Sequence, residues 1–241
     1  KPRTDDIRTA VSADGIWVLE DTELMQTAVR LTGDVEYVPN ALLTPQEFEG
    51  RTDIRVGQPG NEIQYATSRM RIRILPGSYL ICGYSVDFAS RMYVNGKLLF
   101  EAGVPGDSRE TTVPGVKYYQ LPVSPDADGE IVIVQQASNF THKDGGTHGT
   151  LYIGMPEWIN RYTFRNLWPE VILMGCYLVL FLVHFILYLM MKGYKANLLF
   201  ALFCLTWFLR TGVTGQRILD SVLPGLPWTT VFRLEYLTMP S

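Results

Sequence analysis

Residues 171–191, VILMGCYLVLFLVHFILYLMM, are 21 consecutive residues with no formal charge and one histidine. At 1.5 Å per residue an α-helix of this length covers about 30 Å, the thickness of a bilayer's hydrocarbon core. A helix buried in a soluble protein would normally keep a polar stripe, and this run has none. Trp168 is typical of the membrane interface, Pro169 suits the first position of a helix, and Glu170 suits the positive end of the helix dipole. The run therefore predicts a transmembrane helix over residues 169–191.

Two further apolar runs follow. Residues 196–209 are too few to cross a bilayer unless the helix continues past Arg210 to about residue 212. A third run covers residues 228–241 and contains Glu235. The sequence thus predicts a multi-pass membrane domain that is cut within its third helix, and we also expect the amino end to be cut because no leader or initiator Met precedes Lys1.

Charge is divided unevenly along the chain. The first 169 residues hold 21 acidic and 16 basic residues, a net charge of −5, and the remainder carries +2. This balance excludes a disordered chain and a nucleic-acid-binding protein, which would need a high net charge or a basic stripe. Three cysteines without a C-x-x-C spacing indicate neither a disulfide framework nor a thiolate metal site. Lysines and arginines on the two sides of the first helix nearly balance, so they favour a cytoplasmic loop at residues 192–195 only weakly.

Residues 1–157 alternate short apolar runs with Gly, Pro, Asn and Asp, which predicts a mainly β fold, an antiparallel sandwich of jelly-roll type. One short helix is expected near Pro45, where Thr44 and Glu47 form a capping box. Residues 158–168 would form an aromatic and arginine-rich interfacial neck. The candidate strands cover residues 15–19, 34–38, 66–75, 78–86, 91–94, 97–100, 116–121, 131–136 and 150–153.

Two local patterns make this prediction specific. In residues 69–74, Arg alternates with Met and Ile, so one face of that strand should be buried and the other should carry a cationic ladder. Asn95-Gly96 between two apolar runs is typical of a type I′ hairpin turn, whose central residues need positive φ. Arg91 and Glu101 flank this hairpin and are predicted to form a cross-strand pair.

Four segments together suggest a family: EYVPNALLTPQEF, ATSRMRIRILPGSYL, SRMYVNGKLLFEAGVPG and EIVIVQQASNFTHKDGGTHGTLYIG. Their order resembles the ectodomain of DISM-type bacterial receptors, which are seven-transmembrane receptors with diverse intracellular signalling modules. FLRTGVTGQRIL and FRLEYLT resemble the family's second and third helices. A more distant similarity is to the galactose-binding-like sandwich of the β-galactosidase group.

This resemblance implies a β-domain outside the cytoplasmic membrane, in the periplasm or at the cell surface. It also implies that the domain binds a carbohydrate or another small ligand and biases the helices. The family's cytoplasmic output module, a kinase, cyclase or phosphatase, would follow Ser241, so no enzymatic activity is expected of this chain. A bilayer, a small ligand or a protein partner, and a homodimer are the expected partners.

Ligand contacts are expected from exposed aromatic groups and from the loop THKDGGTHG, because loops and aromatic faces commonly form sugar sites. The H-x-D-x-x-x-H spacing of the loop lacks a fourth ligand, so a polar turn is favoured over a metal site, and no cofactor is expected. Trp17 and Tyr93 could instead lie in the core. The candidate ligand residues are Trp17, Phe140, His142, Lys143, Asp144 and His148.

Three ionisable residues of the apolar segments are candidates for signal transmission: His184, Arg210 and Glu235. An ionisable group at membrane depth suggests function, although a hydrogen bond between helices would explain His184 equally well. Arg210 and Glu235 lie at segment ends, where a salt bridge or snorkelling accounts for them.

Two rival functions remain open from sequence. A protein-docking module would use an exposed apolar patch or an edge strand. A membrane-anchored sugar hydrolase would need two carboxylates about 5 to 9 Å apart across a pocket. No G-x-S-x-G, H-E-x-x-H, P-loop or protein-kinase pattern occurs in the sequence.

Overall fold

The structure is a computed structural model that describes residues 7–19, 26–140, 150–191, 194–215 and 218–222, together with Arg233. The chain divides into two compact units, Lys1–Arg161 and Tyr162–Ser241. The first unit contains the strands, and the second consists of helices in its described part.

Eleven strands lie in the described residues of the first unit. They are β1 (Ile7–Ser12), β2 (Ile16–Val18), β3 (Ala28–Gly33), β4 (Val35–Pro39), β5 (Arg55–Gly57), β6 (Tyr65–Arg73), β7 (Tyr79–Val94), β8 (Lys97–Ala102), β9 (Gly115–Val123), β10 (Glu130–Ser138) and β11 (Leu151–Gly154). One short helix, α1 (Pro45–Glu49), follows β4.

The strands form two packed sheets, which confirms the predicted β-sandwich. One sheet contains β1, β3, β11, the first half of β7, and β9; the other contains β5, β4, β6, β2, β10, the second half of β7, and β8. The sandwich is not wholly antiparallel, because β1 runs parallel to β3 and β2 runs parallel to β6. The finer assignment to the jelly-roll type stays a prediction.

Strand β7 joins the two sheets. Sequence analysis divided it into strands at residues 78–86 and 91–94, whereas it is one strand of 16 residues. Its pairing with β9 shifts between Ser85 and Phe88, where the strand leaves one sheet and enters the other. Ala89 and Ser90 are fully buried, so the segment that looks like a break in the apolar pattern lies inside the sandwich.

The core lies between the sheets, and β6 shows how the sequence forms it. Met70 and Ile72 point inward and are buried, as their alternation with arginine predicted. The arginines of the opposite face are paired: Glu36 accepts from Arg69 at 2.6 Å and from Arg71 at 2.9 Å. The core residues contributed by both sheets include Trp17, Val29, Ile72, Ile81, Met92, Ile131, Ile133 and Ile153.

Both predicted local motifs are present. Thr44 accepts a hydrogen bond from the Glu47 amide, and the Glu47 carboxylate accepts one from the Thr44 amide, completing the capping box of α1. Asn95 and Gly96 have φ of 48° and 77°, as a type I′ turn requires. The β7 and β8 strands on either side bring Arg91 opposite Glu101, with 2.6 Å between Arg91 Nε and Glu101 Oε1, which confirms the cross-strand pair.

Three helices follow the sandwich in the described residues: α2 (Pro156–Met190), α3 (Lys195–Val213) and α4 (Ile218–Val222). The helix predicted to begin at Pro169 begins instead at Pro156, and Pro169 lies inside it. Pro156 takes the first helical position, where its missing N–H costs nothing, and residues 157–168 continue the helix. The predicted neck is therefore helical throughout.

Helices α2 and α3 are long and apolar enough to cross a membrane. The predicted second segment of 196–212 agrees with α3 within one residue at each end. With 19 residues, α3 is about 28 Å long. The predicted third segment at residues 228–241 lies outside the described residues, apart from Arg233.

Candidate ligand-binding groove

A groove opens at the edge of the sandwich where β8 and β9 separate. In the part of the chain that is described, each of these strands pairs with β7 alone. The two strands approach closely at Gly103 and Gly115, where a side chain on either residue would collide with the other's backbone. Because β7 changes sheets, β8 continues in one sheet and β9 in the other, and the space between them forms the groove.

The groove has a volume of about 520 Å³, within the range of small-molecule sites in proteins. Six of its ten lining residues are aromatic or apolar, and three others, Glu101, Lys117 and Gln120, bring polar side chains to it. The lining residues are Leu99, Phe100, Glu101, Gly103, Val104, Lys117, Tyr118, Tyr119, Gln120 and Leu121.

Two buried rings form the base of the groove. The centroids of Phe100 and Tyr119 lie 4.6 Å apart with the rings tilted at 48°, a separation within the range of favourable aromatic pairs. Tyr119 reaches inward over Gly83, where an added Cβ would lie 2.5 Å from the Tyr119 hydroxyl. Burial raises the pKa of Tyr119, so its phenol stays protonated at neutral pH. The base is thus rigid and uncharged.

The polar side chains of the groove differ in their partners. The Glu101 carboxylate is held by Arg91 across the β7–β8 pair. The Gln120 side-chain amide donates a hydrogen bond to the Asn160 side chain, near the start of α2. Lys117 is exposed, and its ammonium lies 5.7 Å from the centroid of the Phe100 ring. A ligand in the groove would therefore meet one cation, one ion-paired carboxylate and one amide.

Two aromatic residues proposed from sequence as ligand platforms lie elsewhere. Trp17 is 2% exposed in the core, and its indole N–H donates to the carbonyl oxygens of Ala10 and Thr32 at 3.3 and 3.0 Å. Its ring is therefore not available to a ligand, which corrects its place among the ligand residues and leaves the core alternative. Tyr93 is half-buried opposite Val134, on the outer face of its sheet.

Phe140 is the one described member of the predicted loop site. Its ring stacks on Tyr65 at 6.1 Å between centroids, and the adjacent Asn139 amide donates to the Gln64 carbonyl at 2.6 Å. The other candidates, His142, Lys143, Asp144 and His148, lie outside the described residues. Within the described residues no group of three His, Cys, Asp or Glu side chains is placed to hold a metal ion.

The candidates of the helical unit have identifiable contacts. His184 of α2 lies with Nδ1 3.4 Å from the Asn197 side-chain oxygen of α3, and its ring meets Phe200 edge-on at 4.4 Å. The Arg210 guanidinium lies 5.9 Å from the Trp207 ring centroid. Glu235 is outside the described residues. The contacts of His184 fit the packing alternative and leave its signalling role a prediction.

Sequence reasoning missed the groove. Lys117, Gln120 and the two tyrosines between them occur in one short run, KYYQL, where two polar residues flank two aromatic ones. This run was assigned to a strand without a functional role. Its role in the groove depends on β8 lying across from it, and that arrangement follows from the path of β7, with which both strands pair, rather than from any local pattern.

Comparison with known proteins gives no family. No protein-family model matches the chain, and no curated protein matches it. Among solved structures, a β-glucuronidase from Faecalibacterium prausnitzii is similar at 10% identity over 54% of this chain, with a TM-score of 0.36. The match covers 32% of the β-glucuronidase, so this chain corresponds to about a third of that protein.

Two other structures show how varied these matches are. A family 35 carbohydrate-binding module from Clostridium thermocellum is 17% identical over 51% of this chain and 90% of its own, with a TM-score of 0.26. An insecticidal delta-endotoxin from Bacillus thuringiensis is 14% identical over 56% of this chain and 24% of its own, with a TM-score of 0.24. All three TM-scores are below 0.5, so these similarities carry no argument about function.

Proposed function

We propose that this protein is a membrane-attached sensor whose β-sandwich binds a carbohydrate or another small ligand in the groove between β8 and β9. The groove is the observation that carries the proposal. It combines a rigid aromatic base with a few directed polar groups, which is the composition of small-molecule sites in general.

The position of β9 supports a sensing role. Gln120 lines the groove and is hydrogen-bonded to Asn160 in α2, and α2 continues into the longest apolar run of the chain. A ligand that binds one arrangement of β9 and α2 better than another would shift the balance between the two arrangements. The bound state would then be reported through α2.

The membrane location is part of the proposal. We propose that α2 and α3 cross the cytoplasmic membrane, that the sandwich lies in the periplasm or outside the cell, and that the chain belongs to the DISM-type receptors which its motifs resemble. The chain itself would carry no enzymatic activity, and its signal would pass to a cytoplasmic module beyond Ser241.

Ligand binding is tested with the full chain in nanodiscs, by calorimetric titration with a panel of saccharides and small metabolites. Leu99→Trp fills the groove and should weaken binding by about tenfold or more. Leu98→Trp is the matched control, because Leu98 is the adjacent exposed residue of β8 and does not line the groove. Absence of binding by the whole panel to a folded protein would reject the proposed function.

Membrane insertion is tested with the natural cysteines. Cys176 is exposed on α2, whereas Cys82 and Cys204 are buried. In intact membranes an impermeant maleimide should not label Cys176 until the bilayer is dissolved in detergent. Glu110→Cys, an exposed site on the sandwich, should react from outside in spheroplasts. Reaction of Glu110→Cys only after lysis would reverse the proposed orientation.

Protein docking is the second candidate, and the β8 edge favours it. Leu98 and Leu99 are 49% and 40% exposed on a strand that pairs with β7 alone among the described residues. A free edge with apolar side chains can accept a strand from a partner. If docking is the function, Leu98→Trp and Leu99→Trp should impair it equally, whereas a small ligand in the groove responds to Leu99→Trp alone.

The hydrolase alternative finds no support in the groove. Glu101 is the one carboxylate among its lining residues in the described chain, and Arg91 engages it. Glycoside hydrolysis uses two carboxyl groups that flank the scissile bond. We therefore propose binding without hydrolysis.

A further inference from the structure

Lys117 carries the charge that is not neutralised within the groove. Its side chain is exposed, and no carboxylate of the described residues lies within ion-pair distance of its ammonium. The ammonium makes a cation–π contact with the Phe100 ring, 5.7 Å from the ring centroid. The ammonium is therefore available to a ligand.

The other charges at the groove cancel each other. Arg91 and Glu101 lie directly opposite on β7 and β8 and are joined at 2.6 Å. Phe100, Tyr119 and Leu121 contribute no charge, since a tyrosine phenol is protonated at neutral pH and burial raises the pKa of Tyr119 further. The groove as a whole is thus positive by one charge, located on Lys117.

The contact between Lys117 and Phe100 is weak enough to be exchanged. An exposed cation over an aromatic ring gains less than an ammonium that donates a hydrogen bond to an anion. The lysine side chain is also a flexible four-carbon stem, so its ammonium can move while the strand stays in place. Such a movement would uncover part of the Phe100 ring for the apolar face of a ligand.

We infer that the groove takes an anionic saccharide, whose carboxylate or phosphate pairs with Lys117 while its sugar ring lies in the groove against the exposed Leu99, with the buried Phe100 and Tyr119 rings beneath it. This inference rests on the proposed ligand-binding function and specifies the class of ligand. The saccharide is the ligand class of the proposed function, and the charge follows from Lys117.

The test uses the full chain in nanodiscs of phosphatidylcholine, titrated with glucuronate, glucose 6-phosphate, glucose and benzoate. The two charged sugars should bind about tenfold or more tightly than glucose, and their affinity should fall as salt is raised. Lys117→Gln should reduce the affinity for charged sugars to that for glucose, and Lys117→Arg should retain the preference. Lys97→Gln is the control, since Lys97 is exposed on β8 and does not line the groove.

Each outcome has a defined meaning. A larger affinity for glucuronate than for glucose 6-phosphate identifies the carboxylate as the preferred anion, and the reverse identifies the phosphate. If glucose binds as tightly as the charged sugars and Lys117→Gln has no effect, the inference is wrong and the proposed function stands. If benzoate binds more tightly than either charged sugar, the ligand is an anion but not a saccharide. If no compound binds to the folded protein in this test or in the wider panel, both the inference and the proposed function fail.

Discussion

The Gln120 side chain in β9 donates a hydrogen bond to the Asn160 side chain near the start of α2. Tyr119, which precedes Gln120 in β9, is one of the two rings at the base of the groove. Ile159, which precedes Asn160 in α2, is fully buried. One side-chain hydrogen bond therefore links a strand of the groove to a helical turn that is anchored in the same unit.

Breaking this bond should loosen the first turn of α2. We expect Gln120→Ala and Asn160→Ala each to speed hydrogen exchange of the amides at residues 157–161. Because both variants remove the same bond, the double variant should add little, which corresponds to a coupling of about 0.5–1.5 kcal/mol. Hydrogen-exchange mass spectrometry of the full chain measures this, with Glu157→Gln in the same turn as control. Strictly additive effects would show that the two side chains act independently.

Gly83 lies beneath Tyr119 and should not tolerate a side chain. A Cβ there would lie 2.5 Å from the Tyr119 hydroxyl and 2.8 Å from the Thr150 carbonyl oxygen. We expect Gly83→Ala to destabilise the sandwich by about 1–3 kcal/mol and to displace the base of the groove. Adding Tyr119→Phe removes the nearer contact and should recover part of the loss.

Urea unfolding, monitored through hydrogen exchange of the β7 and β10 amides, measures the stability of these variants. Gly50→Ala is the control, because its nearest neighbour would be the Glu47 carbonyl oxygen at 3.8 Å. If Gly83→Ala and Gly50→Ala are equally mild, the space above Gly83 is larger than the structure indicates.

Sequence patterns succeeded where one strand or one turn contains the whole signal. The alternation of arginine with Met70 and Ile72 fixes the two faces of β6 without reference to any partner strand. The positive φ at Asn95 follows from the turn type alone, and the capping box of Thr44 follows from four consecutive residues. The β-sandwich could be predicted because many such local signals occur in series.

The groove could not be predicted, since it depends on long-range pairing. Phe100 and Tyr119 meet only because β7 crosses between sheets and takes β8 and β9 with it. Strands β1, β3 and β5 were also missed, and β1 pairs in parallel with a strand some 20 residues away. Pro169 was misassigned because a proline can either begin a helix or lie within one, and the local sequence does not distinguish these cases.

Glu36 holds two arginines and should contribute strongly to stability. It is 8% exposed and accepts hydrogen bonds from Arg69 and Arg71. Glu36→Gln removes the negative charge from between two cations that are partly shielded from water. We expect it to destabilise the sandwich by roughly 2–3 kcal/mol, below the loss for a fully buried pair because Arg71 retains some exposure.

The matched control is Asp53→Asn, which breaks an ion pair with Arg51 in which both side chains are substantially exposed. That pair should contribute little, because solvent screens it. Urea unfolding of both variants, with exchange of the β4 and β6 amides as the probe, measures the difference. Equal losses for the two variants would mean that burial of Glu36 has no energetic consequence.

The capping box of α1 should make that helix sensitive to acid. Hydrogen bonds from the Thr44 amide and hydroxyl lower the pKa of Glu47 from its ordinary value of 4.5. A carboxyl group whose pKa is lower in the folded state contributes stability above its unfolded pKa, and this contribution is lost as the pH falls through the folded pKa. Protection of the α1 amides should therefore be constant above about pH 5 and decline below it.

Glu47→Gln should flatten this decline, because glutamine can still cap but does not titrate. Glu49→Gln, an exposed change in the same helix, should leave it intact, and hydrogen exchange between pH 3 and pH 7, roughly spanning the ordinary carboxyl range, distinguishes the three proteins. If the wild-type helix and Glu47→Gln respond identically to acid, the cap does not depend on the charge of Glu47.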